Sequence, residues 1–156
     1  LKRIEGKTAQ LFMLSCMMGE QFSLLKEEAR ARQIGHAIGM SFQILDDILD
    51  YEIDADQFGK PVLEDVAQGV YTLPLIIAFP KKEKEFRSLL EKKERISDGE
   101  RKKVQQLVLK SGGVESAKVL AKKYTDRALQ QIERLPEKNV KTMLFDITSR
   151  LLQREY

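Results

Sequence analysis

The sequence predicts an all-α protein, and three observations support that class. Proline and glycine are sparse, at 4 and 9 of 156 residues. Apolar residues make up 42% of the chain and charged residues 33%. Long stretches also repeat their apolar residues with the spacing of one helix face. Together these features favour long amphipathic helices with a solvated exterior over a turn-rich β architecture.

Periodicity and turn residues set the predicted helix boundaries. Residues 52–70 show no period and read as a loop. A capping box of Ser97 and Glu100 opens one helix, and Gly19 is expected to end the first. The predicted helices, in chain order, span residues 6–19, 24–51, 73–79, 84–93, the segment from the capping box to Ser111-Gly112-Gly113, 114–135 and 139–154. Thr72 is the predicted N-cap of the helix over 73–79. The buried side of the helix over 114–135 is expected to hold Val119, Leu120, Tyr124, Ala128, Leu129 and Ile132.

Two glycines lie one turn apart in the second predicted helix. Gly35 and Gly39 share one face of that helix. A glycine in a helix interior costs about 1 kcal/mol relative to alanine. We therefore expect another helix to approach closely at these two positions.

Charge and cysteine usage exclude several classes. With 27 basic and 24 acidic residues the charge is too balanced for a nucleic-acid-binding domain. The single cysteine, Cys16, excludes an intrachain disulfide and reads as a soft core residue. We find no signal-peptide pattern and no apolar stretch near the ~20 residues that span a bilayer. We expect a soluble, cytoplasmic protein, with association at a membrane surface left open.

The sharpest chemical feature is an acidic turn late in the second helix. Asp46 and Asp50 lie four residues apart, and Asp47 and Asp50 three apart, so all three carboxylates can address one region. Gln43 stands one turn earlier on the same face. Like charges at this spacing repel each other, and the surrounding residues are apolar. A hard cation resolves the repulsion, and Mg²⁺ commonly bridges one or two carboxylates to substrate phosphates.

Two other interpretations of these acids remain. The aspartates could cap or pair with neighbours at an ordinary acidic helix end. Asp54, Asp56, Gly59 and Asp65 also fall at EF-hand loop positions, but Phe58 occupies a ligand position, which disfavours that site.

Isolated cations lie near these acids in sequence. Lys7 and Thr8 are expected to open the first helix, where backbone N–H groups favour anions. Lys60 follows in the long loop. These groups together predict a site for magnesium and a diphosphate, in which catalysis would be electrostatic. His36, between apolar turns, reads as structural.

Four segments in order resemble the trans-isoprenyl diphosphate synthases, and most of all bacterial hexaprenyl or heptaprenyl synthase catalytic subunits. They are Gly6-Lys7-Thr8-Ala9-Gln10-Leu11-Phe12, residues 39–51 with their second aspartate-rich motif, Gly59-Lys60-Pro61, and residues 65–74. The match is strong over roughly residues 1–80 and weak over 85–154. It implies that residues 1–156 form the C-terminal part of an isoprenoid synthase helical bundle.

The resemblance also implies roles for these residues. Asp46, Asp47 and Asp50 would hold Mg²⁺ against an allylic diphosphate, which would condense with isopentenyl diphosphate. The residues implied to contact or orient that allylic substrate are Lys7, Gln43, Lys60 and Thr8.

Two departures from the family pattern matter. The family's first Asp-Asp-x-x-Asp motif and its isopentenyl diphosphate site belong to a preceding half that these residues lack, so we expect the isolated chain not to catalyse condensation. Val70-Tyr71 also stands where many relatives carry a lysine.

Two other functions compete with this one. A non-catalytic helical subunit of a prenyl synthase complex would not need Asp46, Asp47 and Asp50. A terpene cyclase fits the Lys-Thr-Ala and Gly-Lys segments poorly. For a prenyltransferase we expect a homodimer, or a heteromer with the missing half or a small subunit. We expect no nucleic-acid partner, and peripheral membrane association through a lipid product stays open.

Overall fold

The computed structural model describes residues 1–22, 26–52, 63–92 and 95–152. Every regular element in these ranges is helical, which confirms the predicted all-α class. None of these helices combines the length and the apolar character that crossing a bilayer requires. The elements are α1 (Lys2–Ile4), a π-helical turn (Glu5–Ala9), α2 (Gln10–Gln21), α3 (Glu28–Glu52), α4 (Glu64–Ala67), α5 (Leu73–Ala78), a 3₁₀ turn (Phe79–Lys81), α6 (Glu83–Leu90), α7 (Asp98–Lys110), α8 (Gly113–Glu133) and α9 (Lys138–Leu152).

The first helical run is longer than predicted. It begins at Lys2 and continues to Gln21, so Gly19 lies inside α2 and does not end it. A glycine ends a helix when it adopts the left-handed conformation, and Gly19 has no positive φ. The prediction that Lys7 and Thr8 open this helix is also wrong, because both lie within the π-helical turn.

Several other helix boundaries differ from the predicted ones. α3 begins at Glu28, and α4 lies inside the predicted loop 52–70, of which residues 53–62 fall outside the described residues. Pro80 sits within the 3₁₀ turn that extends α5. The capping box is confirmed: Glu100 N–H donates to Ser97 Oγ, and Ser97 N–H donates to the Glu100 carboxylate at 3.1 Å.

The described helices group into two compact units. Residues 1–45 and 120–156 make up unit one, and Asp46–Val119 make up unit two. The core of unit one joins Ile34, Ala37 and Ile38 of α3 to Ala128, Ile132 and Leu135. Packed against that core are Phe12, Cys16, Leu129, Leu144 and Leu151.

Cys16 is therefore half-buried at the core edge, and burial raises the pKa of its thiol.

Close helix contact at Gly35 and Gly39 is confirmed within unit one. A Cβ added to Gly35 would lie 2.5 Å from Phe12 O and 2.6 Å from Met13 Cα. A Cβ added to Gly39 would lie 2.6 Å from Ala9 Cα. Because these neighbours are backbone atoms, only glycine allows the helical run of residues 2–21 to approach α3 this closely.

Unit two is built around the large buried side chains Tyr51, Phe86 and Leu75. The Phe79 and Phe86 rings stack with their centroids 6.0 Å apart. The Gln105 side-chain amide donates to Tyr51 O at 2.9 Å and holds the last turn of α3.

The predicted buried side of α8 is wrong at Val119, which is 58% exposed. The helix instead buries the small residues Ala117 and Ala121. Successive helical residues turn by about 100°, so Val119 points away from the stripe that Ala117 begins.

Replacing Gly35 by alanine should lower the free energy of unfolding by about 1–3 kcal/mol, the range for overpacking a closely packed site. Urea denaturation of Gly35→Ala measures this. Gly99→Ala is the matched control, because the added methyl would have no atom within 4 Å outside its chain neighbours and its own helix backbone. Equal stabilities of the two variants would contradict the contact.

Candidate functional site

In unit one, the Lys-Thr-Ala segment is held against α3. Ala9 is fully buried beside Gly39, and this contact brings the preceding residue onto the helix. The Thr8 hydroxyl donates a hydrogen bond to Gln43 Oε1. Gln43 is only 4% exposed, so this bond fixes a buried amide whose NH₂ group is the remaining donor.

The π-helical turn changes the expected role of Lys7. Its backbone N–H is not at a helix terminus, so the expected contribution of free N–H groups to anion binding does not apply. The Lys7 side chain is exposed and Thr8 is half-buried. What Lys7 can offer to an anion is therefore its side-chain ammonium group.

In unit two, α3 carries the three carboxylates. Asp46 and Asp50 are exposed, whereas Asp47 is 8% exposed. Residues four apart in a helix differ in direction by about 40° and adjacent residues by about 100°. Asp46 and Asp50 thus share one face, and Asp47 turns toward the protein. That all three address one ligand stays a prediction.

A buried hydrogen bond follows the acidic turn. The hydroxyls of Tyr51 and Thr72 lie 2.8 Å apart. Burial raises the pKa of Tyr51, and the negative charges of Asp50, Asp47 and Asp65 raise it further, while the bond to Thr72 opposes the shift.

The sequence prediction missed the pairing of Tyr51 with Thr72 and the influence of Asp65. Thr72 does occupy the N-cap position of α5, but its side chain makes no capping hydrogen bond. The one sequence signal for this pairing was that Tyr51 and residues 65–74 both lie in segments that resemble the trans-isoprenyl diphosphate synthases.

The carboxylates on α3 fit a magnesium ion that they share with substrate phosphates and waters. Among the described residues, no group of three or more His, Cys, Asp or Glu side chains is arranged to hold a metal ion. Mg²⁺ is usually held by one or two carboxylates together with substrate phosphates and waters. The exposed pair of Asp46 and Asp50 supplies such carboxylates without forming a complete protein cage.

The remaining predicted residues are accounted for as follows. Lys60, Asp54 and Asp56 lie outside the described residues. His36 is half-buried, 3.6 Å from the Glu5 carboxylate and edge-on to the Tyr124 ring. These contacts agree with a structural role for His36.

Fold and site together define a class of all-helical proteins that present paired carboxylates from one long helix. The polyprenyl synthetase family model matches residues 1–110. The chain belongs to the polyprenyl synthetase family, as the sequence motifs predicted.

Individual relatives agree with this assignment. An all-trans-nonaprenyl-diphosphate synthase of Rhodobacter capsulatus is 38% identical over 99% of this chain and 48% of its own. Heptaprenyl diphosphate synthase component 2 of Geobacillus stearothermophilus is 32% identical over 100% of this chain and 49% of its own. The crystal structure of a geranylgeranyl pyrophosphate synthase from Lactobacillus brevis, complexed with citrate, is similar at a TM-score of 0.89 and 45% identity, covering 96% of this chain and 49% of that one. The chain thus spans about half the length of these relatives.

The pKa of Tyr51 predicts a loss of stability in alkali. The unfolded chain releases this proton near pH 10, whereas the folded chain retains it to higher pH. Unfolding therefore becomes more favourable as pH rises above about 10, by up to about 1.4 kcal/mol per pH unit. Urea denaturation between about pH 9 and 11.5 should show a steeper loss of stability in the wild type than in Tyr51→Phe, in which the half-buried Cys16 still contributes a loss.

Tyr71→Phe is the control, since it removes an exposed tyrosine and leaves Tyr51 in place. Identical alkaline slopes for Tyr51→Phe and the wild type would overturn the assignment.

Proposed function

We propose that this chain is part of a trans-prenyltransferase that condenses isopentenyl diphosphate with an allylic diphosphate. The observation that most supports this proposal is the acidic turn of α3, with Asp46 and Asp50 exposed on one face, in a chain of the polyprenyl synthetase family. The similar proteins of Rhodobacter and Geobacillus are named as prenyl diphosphate synthases, which supports the same reaction class.

In this proposal Asp46, Asp47 and Asp50 hold Mg²⁺. When bound, the metal would neutralise the diphosphate and stabilise it as a leaving group. The exposure of Asp46 and Asp50 leaves them accessible to a ligand. Burial of Asp47 restrains its side chain, so less conformational entropy is lost on binding.

Gln43, Lys7, Thr8 and Lys60 would position the allylic diphosphate. The Thr8 hydroxyl donates to the Gln43 carbonyl oxygen and so fixes the orientation of this buried amide. A side chain whose orientation is fixed before the ligand arrives loses less entropy on binding. The exposed ammonium group of Lys7 would add charge that several phosphate oxygens can share.

A second candidate is a non-catalytic helical subunit. The name "component 2" of the Geobacillus relative favours a protein that acts with a second chain. A purely structural subunit has no need for three carboxylates on one turn, so we favour the catalytic role. With the first aspartate-rich motif expected elsewhere, the isolated chain would bind an allylic diphosphate without extending it.

Calorimetric titration with farnesyl thiodiphosphate tests the proposed metal site. Affinity should rise at least about tenfold when Mg²⁺ is added, and the double variant Asp46→Asn/Asp50→Asn should lose that gain, because charge-assisted contacts are worth about 1.5–3 kcal/mol. Asp126→Asn is the matched control, an exposed α8 aspartate paired with Lys122. Equal Mg²⁺ dependence in the double variant and the wild type would refute the proposed site.

We further propose that α2 docks on another helical surface. It contains no buried residue, and Leu11, Leu14 and Met18 are 68%, 52% and 57% exposed. Phe22, just beyond α2, is 90% exposed. These four residues recur at helical spacing and form one apolar stripe, which is a liability when open to water. Its occupant would be a second copy or a complementary half.

Sedimentation at micromolar concentration tests this docking. The wild type should sediment as a dimer or larger species, and Leu11→Glu/Met18→Glu should be monomeric, since charges in an apolar contact are strongly unfavourable. Val119→Glu, at a comparably exposed valine outside the stripe, should leave association unchanged. A wild-type chain that stays monomeric and binds no hydrophobic dye would exclude the docking surface.

A further inference from the structure

Unit two contains a basic cavity of about 510 Å³ that the proposed prenyl transfer does not use. Its lining comes from the 3₁₀ turn, α6 and α7. Lys81, Lys82, Lys103 and Lys110 line it, and Glu85 is the only acidic residue among the described residues of its lining. No residue of α3 takes part, so the cavity is chemically separate from the acidic turn.

The charges of this cavity are not balanced internally. Lys82 pairs with Glu85 at 3.1 Å, which uses the one carboxylate. In the part of the chain that the structure describes, neither Lys103 nor Lys110 forms an ion pair. The net charge of the lining is +3, from four lysines and one glutamate. Like charges within the screening length of about 8–10 Å repel each other, and an anion would relieve that repulsion.

One of the lysines is already held in place. Lys81 Nζ donates to Ser111 O, at the end of α7, at 2.8 Å. Gly112 follows with φ at +66°, the left-handed conformation that ends a helix. An ammonium group has three donors, so two remain on Lys81. A group held before binding loses less entropy when a ligand arrives.

The spacing of the lysines selects a multivalent anion. Lys103 and Lys110 are seven residues apart on α7, so they share a face and are separated by about 10 Å along the helix. A single phosphate is too small to contact both ends of this array. An anion with two or more linked or neighbouring phosphates spans it.

The other residues of the lining restrict the class of ligand that the cavity can bind. Lysines bind phosphate as point charges, and every basic side chain among the described residues of the lining is a lysine. Where the structure describes the lining, none of its residues is aromatic, so bases have no stacking platform there and nucleic acid is disfavoured. Leu89 and Leu107 add apolar surface beside the charges.

We propose that this cavity binds an anion carrying clustered phosphates. Such an anion comes from either of two sources, a soluble polyphosphate or the phosphorylated headgroup of a lipid. The proposal does not depend on the prenyl transfer, because neither the aspartates nor magnesium takes part in it.

Titration calorimetry with tripolyphosphate, and co-sedimentation with phosphatidylcholine vesicles containing phosphatidic acid, test the two sources. Both are run with EDTA, which removes any metal-dependent binding at the acidic turn. Lys103→Gln/Lys110→Gln should weaken binding at least about tenfold, and Lys103→Arg/Lys110→Arg should retain it. Lys123→Gln/Lys138→Gln is the matched control, with the same change in charge at two exposed lysines outside the cavity.

Binding of tripolyphosphate that depends on Lys103 and Lys110 supports a soluble ligand. Binding to the acidic vesicles alone, with the same dependence, supports a lipid headgroup. Absence of binding to both probes, or an equal loss in the control variant, would overturn the proposal. Circular dichroism confirms that each variant remains helical.

Discussion

The close approach of residues 2–21 to α3 at Gly35 and Gly39 is the constraint on which unit one depends. Only because these positions lack a Cβ can Ala9 and Phe12 pack against the helix backbone. That contact carries Thr8 to Gln43, one turn further along α3, and the buried amide is fixed by the bond between them. The placement of the Lys-Thr pair is thus a consequence of two missing methyl groups.

The two glycines and the acidic turn lie on the same helix, because α3 is uninterrupted over 25 residues. Ile34, Ala37 and Ile38 near its start are buried in the core of unit one. Its last turns hold carboxylates whose mutual repulsion opposes helix formation by a few tenths of a kcal/mol per pair. The apolar burial elsewhere on the helix outweighs that term. Burial is the main cause of the raised pKa of Tyr51, and the negative charges of Asp50 and Asp47 raise it further.

The sequence was informative wherever one local signal decided the structure. The capping box of Ser97 and Glu100, the long helix α3 and the two glycines were predicted, because each depends on spacing within one segment. Gly19 was misread, since composition does not show whether a glycine turns left-handed.

The rest of the candidate site depends on tertiary contacts that spacing alone cannot supply. Thr72 was predicted to cap its helix and instead bonds Tyr51, because a partner distant in sequence competes for its hydroxyl. Val119 was misplaced for a similar reason, since the buried face of α8 passes through Ala117, Ala121 and Ile132 and leaves Val119 exposed. Family motifs named Asp46, Asp47 and Asp50 in advance, but only the structure distinguishes the buried Asp47 from its exposed neighbours.

We propose that the acidic turn of α3 binds a divalent cation together with a diphosphate. Paramagnetic broadening by Mn²⁺, mapped on the amide NMR spectrum, distinguishes this site from other acidic surfaces. With Mn²⁺ and inorganic diphosphate present together, we expect selective broadening of amides around Asp46–Asp50, and weaker broadening with Mn²⁺ alone. Broadening spread evenly over the surface acids, or centred away from α3 and unchanged by diphosphate, would contradict it.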